Sequence, residues 1–170
     1  MKQKKIVSLI LLLGMVFTLT IFSWEKVVAS EKTTSITKTL VYQKPLDISL
    51  GKGGVYFPSS NYTGSAVLTR LEPVDTKQIR FSQRWIDIHL YDKSGKEFKN
   101  VYGYVYVYFN LNVEDRAAWN KGNLSIYHYN EVKKIWEESE TQLLTNKNVP
   151  YGRVKVLVQE FGLFGLGTTR

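Results

Sequence analysis

The chain has 170 residues, with 23 lysines and arginines against 15 aspartates and glutamates, a formal net charge of +8 and no cysteine. Without a thiol there is no disulfide framework, no zinc-thiolate site and no cysteine nucleophile, so stability has to come from a packed core. The positive excess is interspersed instead of gathered into a basic arm, which argues against nucleic acid as a partner.

Lys2, Lys4 and Lys5 precede an apolar run from Ile6 to Phe22 that is broken only by Ser8, Gly14, Thr18 and Thr20. Together with the small residues of Val27-Val28-Ala29-Ser30, this is the pattern of a secretory signal peptide over residues 1–30. Cleavage before Ser30 or Glu31 is the expectation, and it makes the product secreted or cell-surface associated. The run also approaches the about 20 apolar residues that cross a bilayer. Retention of the segment, giving a membrane-tethered outer-face subunit, is therefore the alternative, and it is the one membrane contact expected. Four basic residues and one acid fall in this segment, which leaves a net charge of +5 for the remainder. An exported chain without cysteine suits a bacterium that lacks a periplasm.

Residues 31–39 are polar and rich in Thr and Lys, and they read as a flexible leader. One domain is expected over residues 40–170, a length that buries a full core. Its pattern is short runs of period two between Gly, Pro, Asn and Asp, as in an all-β antiparallel sandwich. Leu40–Tyr42 and Leu46–Leu50 are the weaker strands. The turn Gly51-Lys52-Gly53-Gly54 leads into Val55–Phe57, and Ser65–Leu71 alternates. In Trp85–Tyr91 the residues Ile86, Ile88 and Leu90 share the face expected to meet the core. Asp92-Lys93-Ser94-Gly95 is a turn.

Val101–Phe109 carries the strongest alternation. Val101, Gly103, Val105, Val107 and Phe109 take one face, and Tyr102, Tyr104, Tyr106 and Tyr108 take the other. Asn112 is placed to cap a short helix running to Trp119, with Asp115 completing a capping box and Gly122 supplying the stop. Strands are expected again at Leu124–Tyr129, Ile135–Glu137, Thr141–Leu144, Arg153–Val158 and Phe161–Leu166.

The turn at Asp92–Gly95, Phe98 three residues later, the Leu124-x-Ile126-Tyr127-x-Tyr129 strand, Trp136, and a closing strand around Phe161 and Phe164 resemble a known module. It is the β-sandwich of ankyrins and netrin receptors, which binds spectrin or regulates there and also occurs in secreted bacterial surface proteins. The resemblance covers residues 51–170 and rests on hydrophobic and turn residues. Some members cleave themselves at a His-Phe-Ser sequence. Glu160-Phe161-Gly162 stands at the matching place, so the resemblance implies an intact domain here.

Catalytic motifs are scarce. There is no G-x-S-x-G elbow, and Lys52 sits within its glycines with no Ser or Thr following, unlike a phosphate loop. Asp87 and His89 share a strand face, with His128 as a third ligand only if their strands adjoin; ordinary strand residues are the simpler reading, and no metal or other cofactor is assigned. Glu137, Glu138 and Glu140 read as a solvated hairpin. What stands out is eleven tyrosines and four tryptophans. Tyr102, Tyr104, Tyr106 and Tyr108 form a row that spans about 20 Å of one strand. Such a row either packs structurally on cross-strand neighbours or, if it faces solvent, forms a contact site. The expectation is a non-catalytic binding or structural module for an extracellular protein or cell-surface glycan. A secreted enzyme or inhibitor with a surface-assembled site is the alternative.

Overall fold

The computed structural model describes residues 34–170, so the signal peptide read over residues 1–30 lies outside the described residues. The strands are β1 (Thr34–Leu40), β2 (Leu46–Leu50), β3 (Gly53–Phe57), β4 (Gly64–Leu71), β5 (Ile79–Phe81), β6 (Trp85–Asp92), β7 (Glu97–Phe98) and β8 (Asn100–Asn110). Helix α1 (Val113–Asn120) follows, then β9 (Leu124–Asn130), β10 (Ile135–Glu138), β11 (Gln142–Asn146), β12 (Val149–Glu160) and β13 (Leu163–Thr169). They build the expected antiparallel sandwich with one short helix among the described residues. The larger sheet runs β1-β4-β6-β13-β9-β10, with β5 alongside β13 and β7 alongside β6, and the smaller runs β11-β12-β8-β3-β2.

The period of two decides which residues meet between the sheets. In β6, Ile86, Ile88 and Leu90 are buried, and Ile88 and Leu90 stand in register with Leu68 and Ala66 of β4. In β8, Val105, Val107 and Phe109 are buried opposite Val158, Val156 and Val154 of β12. Val55 of β3 flanks Val107 from the other side. Each of these aliphatic side chains contributes about 1.5–3 kcal/mol on burial, enough in sum to hold two sheets about 10 Å apart without a covalent staple.

Helix α1 starts as its sequence predicts. The Asn112 side chain accepts from the Asp115 N–H at 2.7 Å, and the Asp115 carboxylate accepts from the Asn112 N–H at 3.1 Å. Asp115 is buried and also takes a hydrogen bond from Gln83 Nε2 at 2.6 Å, which ties the helix cap to the link between β5 and β6. The Asp92 turn is likewise specific. Its Oδ1 accepts from the Ser94 hydroxyl at 2.6 Å, the Ser94 N–H at 2.8 Å and the Lys96 N–H at 3.0 Å. The Ser94 hydroxyl, before the two N–H groups, holds this carboxyl below its ordinary pKa.

Three strands depart from the sequence reading, and the strand expected at Leu40–Tyr42 stops at Leu40, with Val41 and Tyr42 beyond its end. The part of the expected leader from Thr34 to Thr39 belongs to β1, which pairs with β4 from Thr34 opposite Arg70 to Leu40 opposite Gly64. It is an edge strand, so its polar Thr and Ser side chains stay exposed while Leu40 is buried and Ile36 half-buried. Polar composition therefore reads there as disorder. β5 and β7, with three and two residues, are too short for any periodicity to register.

Candidate functional site

Tyr104, Tyr106 and Tyr108 lie on the outer face of the smaller sheet, because the alternate residues Val105, Val107 and Phe109 are in the core. Tyr102 occupies the same strand. The other three differ sharply in environment. Tyr104 is 69% exposed, Tyr106 is half-buried, and Tyr108 is only 2% exposed although it points away from the core.

Neighbouring strands explain the difference. Tyr108 stands opposite Gly54 of β3, whose missing side chain leaves the ring a place to lie. A Cβ on Gly54 would sit 2.4 Å from the Tyr108 hydroxyl and 2.6 Å from the Ile48 carbonyl oxygen. From above, the Arg153 guanidinium covers the ring at 3.8 Å from its centroid, and the Arg153 Nε donates to Asn110 Oδ1 at 2.7 Å. The Tyr108 hydroxyl donates to Asp47 Oδ1 at 2.7 Å. Burial first, then this carboxylate, holds the phenol above its ordinary pKa, so it stays a neutral donor. Tyr108 is therefore a structural tyrosine, locked beneath a cation.

The exposed part of the face is a row across three strands. Tyr56 of β3 and Leu157 of β12 both stand in register with Tyr106, with Tyr104 two residues along β8. Tyr56 and Leu157 are 37% and 47% exposed, which puts apolar area on the surface where strand alternation puts polar residues. The Lys155 ammonium lies 4.1 Å above the Tyr106 ring centroid. Cations over aromatic faces at exposed sites gain about 0.5–1 kcal/mol, enough to pre-order the lysine without spending its charge. The result is an open face of aromatic rings with Arg153 and Lys155 among them. The sequence identified the tyrosines of β8 but not Tyr56 and Leu157, because a cross-strand row depends on register.

The larger sheet bears a second aromatic cluster on its outer face, which sequence reading missed. Phe81 meets Trp136 at 4.7 Å, Trp85 at 5.3 Å and Tyr127 at 6.3 Å between ring centroids. Trp85 and Trp136 are 5.0 Å apart, and Tyr129 joins Trp136 at 5.4 Å. Ile79, Phe81 and Tyr127 are buried here, so this is a satellite core laid over the sheet. The available signal was Gly165 and Gly167 at alternate positions of β13, which leave a flat floor beneath large rings.

The histidines are separated by the fold. His89, on the outer face of β6, lies between Asp87 at 2.9 Å and Glu97 at 2.6 Å. Burial lowers its pKa, but the hydrogen bonds to Glu97 and Asp87 outweigh that and leave it raised. His128 stacks on Phe164, with centroids 4.5 Å apart and planes 15° from parallel, and burial lowers its pKa. Strand β13 intervenes between β6 and β9, and His128 points to the core side, so the Asp87, His89 and His128 trio is not brought together. Among the described residues no group of three such side chains is placed to hold a metal ion. Glu137 and Glu138 are engaged locally: Glu137 accepts from Lys133 at 2.8 Å and from Asn130 at 3.2 Å, and Glu138 accepts from Ser125 at 2.5 Å.

At the Glu160-Phe161-Gly162 corner, the Phe161 N–H donates to the Lys99 carbonyl and the Gly162 carbonyl accepts from the Ile88 N–H. Residue 162 carries no hydroxyl to attack the preceding carbonyl. No protein-family model matches the chain, and no curated protein matches it in sequence.

Proposed function

We propose that this chain is an extracellular, non-catalytic binding module that holds a cell-surface glycan polymer on the outer face of its smaller sheet. The observation that carries the reading is the cross-strand row in which Tyr56, Leu157 and the neighbouring Tyr104 are exposed and Tyr106 half-buried, on a surface whose reverse is packed core. Sugar rings stack their C–H faces on aromatic side chains, and an open face admits a long chain where a closed pocket would admit only its end. Arg153 and Lys155 add positive charge along the same strand, which favours a polymer that carries acidic groups. The N-terminal segment supplies the route out of the cell. The resemblance of residues 51–170 to the ankyrin and netrin-receptor sandwich belongs with this reading, since that module works through partners.

Retention on isolated bacterial wall sacculi tests it. Tyr104→Ala combined with Tyr106→Ala is expected to abolish retention while thermal unfolding stays cooperative. Undiminished retention by the folded double variant rejects the proposal.

A further inference from the structure

A second site lies at one end of the sandwich, where the β2–β3 turn of the smaller sheet meets the ends of β4 and β6 of the larger. A pocket of about 310 Å³ opens there between Leu50, Lys52, Gly53, Arg70, Ser82, Gln83 and Arg84. The charged residues lining it are all cations.

Arg70 is the unusual member. It stands at the end of β4, two residues beyond Leu68, and so leaves the strand on its core-facing side. Its Nε is buried and has no hydrogen-bond partner among the described residues. The guanidinium lies against the turn at Gly51, where a Cβ would come within 2.5 Å of Nη1. Gly51 has φ of +69°, so the turn favours glycine on backbone grounds as well. Among the described residues neither Arg70 nor Lys52 has a carboxylate partner, whereas Arg84 pairs with Glu72 outside the pocket lining. A half-buried guanidinium is expensive to hold without a counter-charge. The Gln83 amide nitrogen is committed to the Asn110 carbonyl and to Asp115, which fixes the pocket wall.

We propose that this pocket binds a phosphate group. Three cations line the pocket against Glu72, which pairs with Arg84, and Asp115, which lies behind Gln83, and the positive excess that remains suits a phosphate monoester, which carries about −1.5 to −2 at neutral pH. The guanidinium fork of Arg70 donates to two oxygens of a tetrahedral anion, and Lys52 reaches in from the turn as a mobile point charge. No nucleotide loop is involved, because the cations come from three separate chain segments. The site shares no residue with the tyrosine face and does not depend on it.

Titration of the purified, isotope-labelled protein with inorganic phosphate, followed by amide and arginine side-chain NMR at constant ionic strength, tests the proposal. Saturating shifts are expected at Gly53, Gln83 and the Arg70 Nε–H. Arg70→Met is expected to weaken binding by about tenfold or more. Arg70→Lys restores only part of the affinity, since it returns the charge without the fork. Should Arg70→Met fold poorly, Lys52→Met, at an exposed position, gives the same readout with a smaller loss. Acetate at equal concentration serves as the carboxylate arm. Shifts that never saturate, that ignore both substitutions, or that saturate as tightly with acetate would overturn the phosphate assignment.

Discussion

Tyr108 and Gly54 act as one unit, although they come from different strands. The ring occupies the space that a side chain at residue 54 would fill, so Gly54→Ala has to expel the ring or bend β3. The expected cost is about 1–3 kcal/mol, the range for overpacking a filled site, read from denaturant unfolding. The same substitution should expose Tyr108 and uncouple it from Asp47. Stability unchanged by Gly54→Ala would show that the ring is not held as described.

His89 sets a second residue-scale expectation. Its folded pKa is raised above the ordinary 6.5, so its contribution is fully present below that value and fades as pH rises through the folded pKa. His128 has a lowered pKa and works the other way, penalising the folded state as pH falls below 6.5. The two partly cancel in the wild type. Comparison with His89→Gln isolates the first: the variant should be less stable at about pH 6 and nearly level with wild type at about pH 8. A gap that widens with pH would contradict the placement of His89 between Asp87 and Glu97.

At the scale of elements, the strands that bury one full face were legible in the sequence. β6 and β8 alternate so regularly that only one face of each can enter a core, and the Asn112 and Asp115 pair marked the start of α1. What escaped was set by partners distant in the chain. β1 is held by its pairing with β4, and its own residues are mostly polar. Tyr56 joins Tyr106 only through the β3–β8 register, and Arg70 reaches the Gly51 turn only because the two sheets meet there.

The outer aromatic cluster is the same kind of feature, assembled from β5, β6, β9 and β10 over the glycines of β13. Gly165→Ala places a Cβ 2.6 Å from Phe81 Cε1 and 2.8 Å from Trp85 Cδ1. These rings are packed against one another and have little room to retreat. A loss of about 1–3 kcal/mol is expected, with altered tryptophan emission as the local signature. An unperturbed emission spectrum and full stability would mean that the cluster is loose.

Taken as a whole molecule, the sandwich has two outer faces of different character. The larger sheet covers its aromatics with one another, while the smaller leaves Tyr56, Tyr104 and Leu157 open beside two cations. A fold held by core packing alone, with no cysteine in the chain, should unfold at the same temperature with and without reductant. On the proposed reading, this contrast makes the smaller sheet the glycan-binding face. The direct measurement is an NMR shift map of the labelled protein as a solubilised wall glycan is added. Perturbations gathered at Tyr56, Tyr104, Tyr106, Lys155 and Leu157 are the predicted result. Perturbations gathered instead at Trp85, Tyr129 and Trp136, or no saturable change on either face, would contradict it.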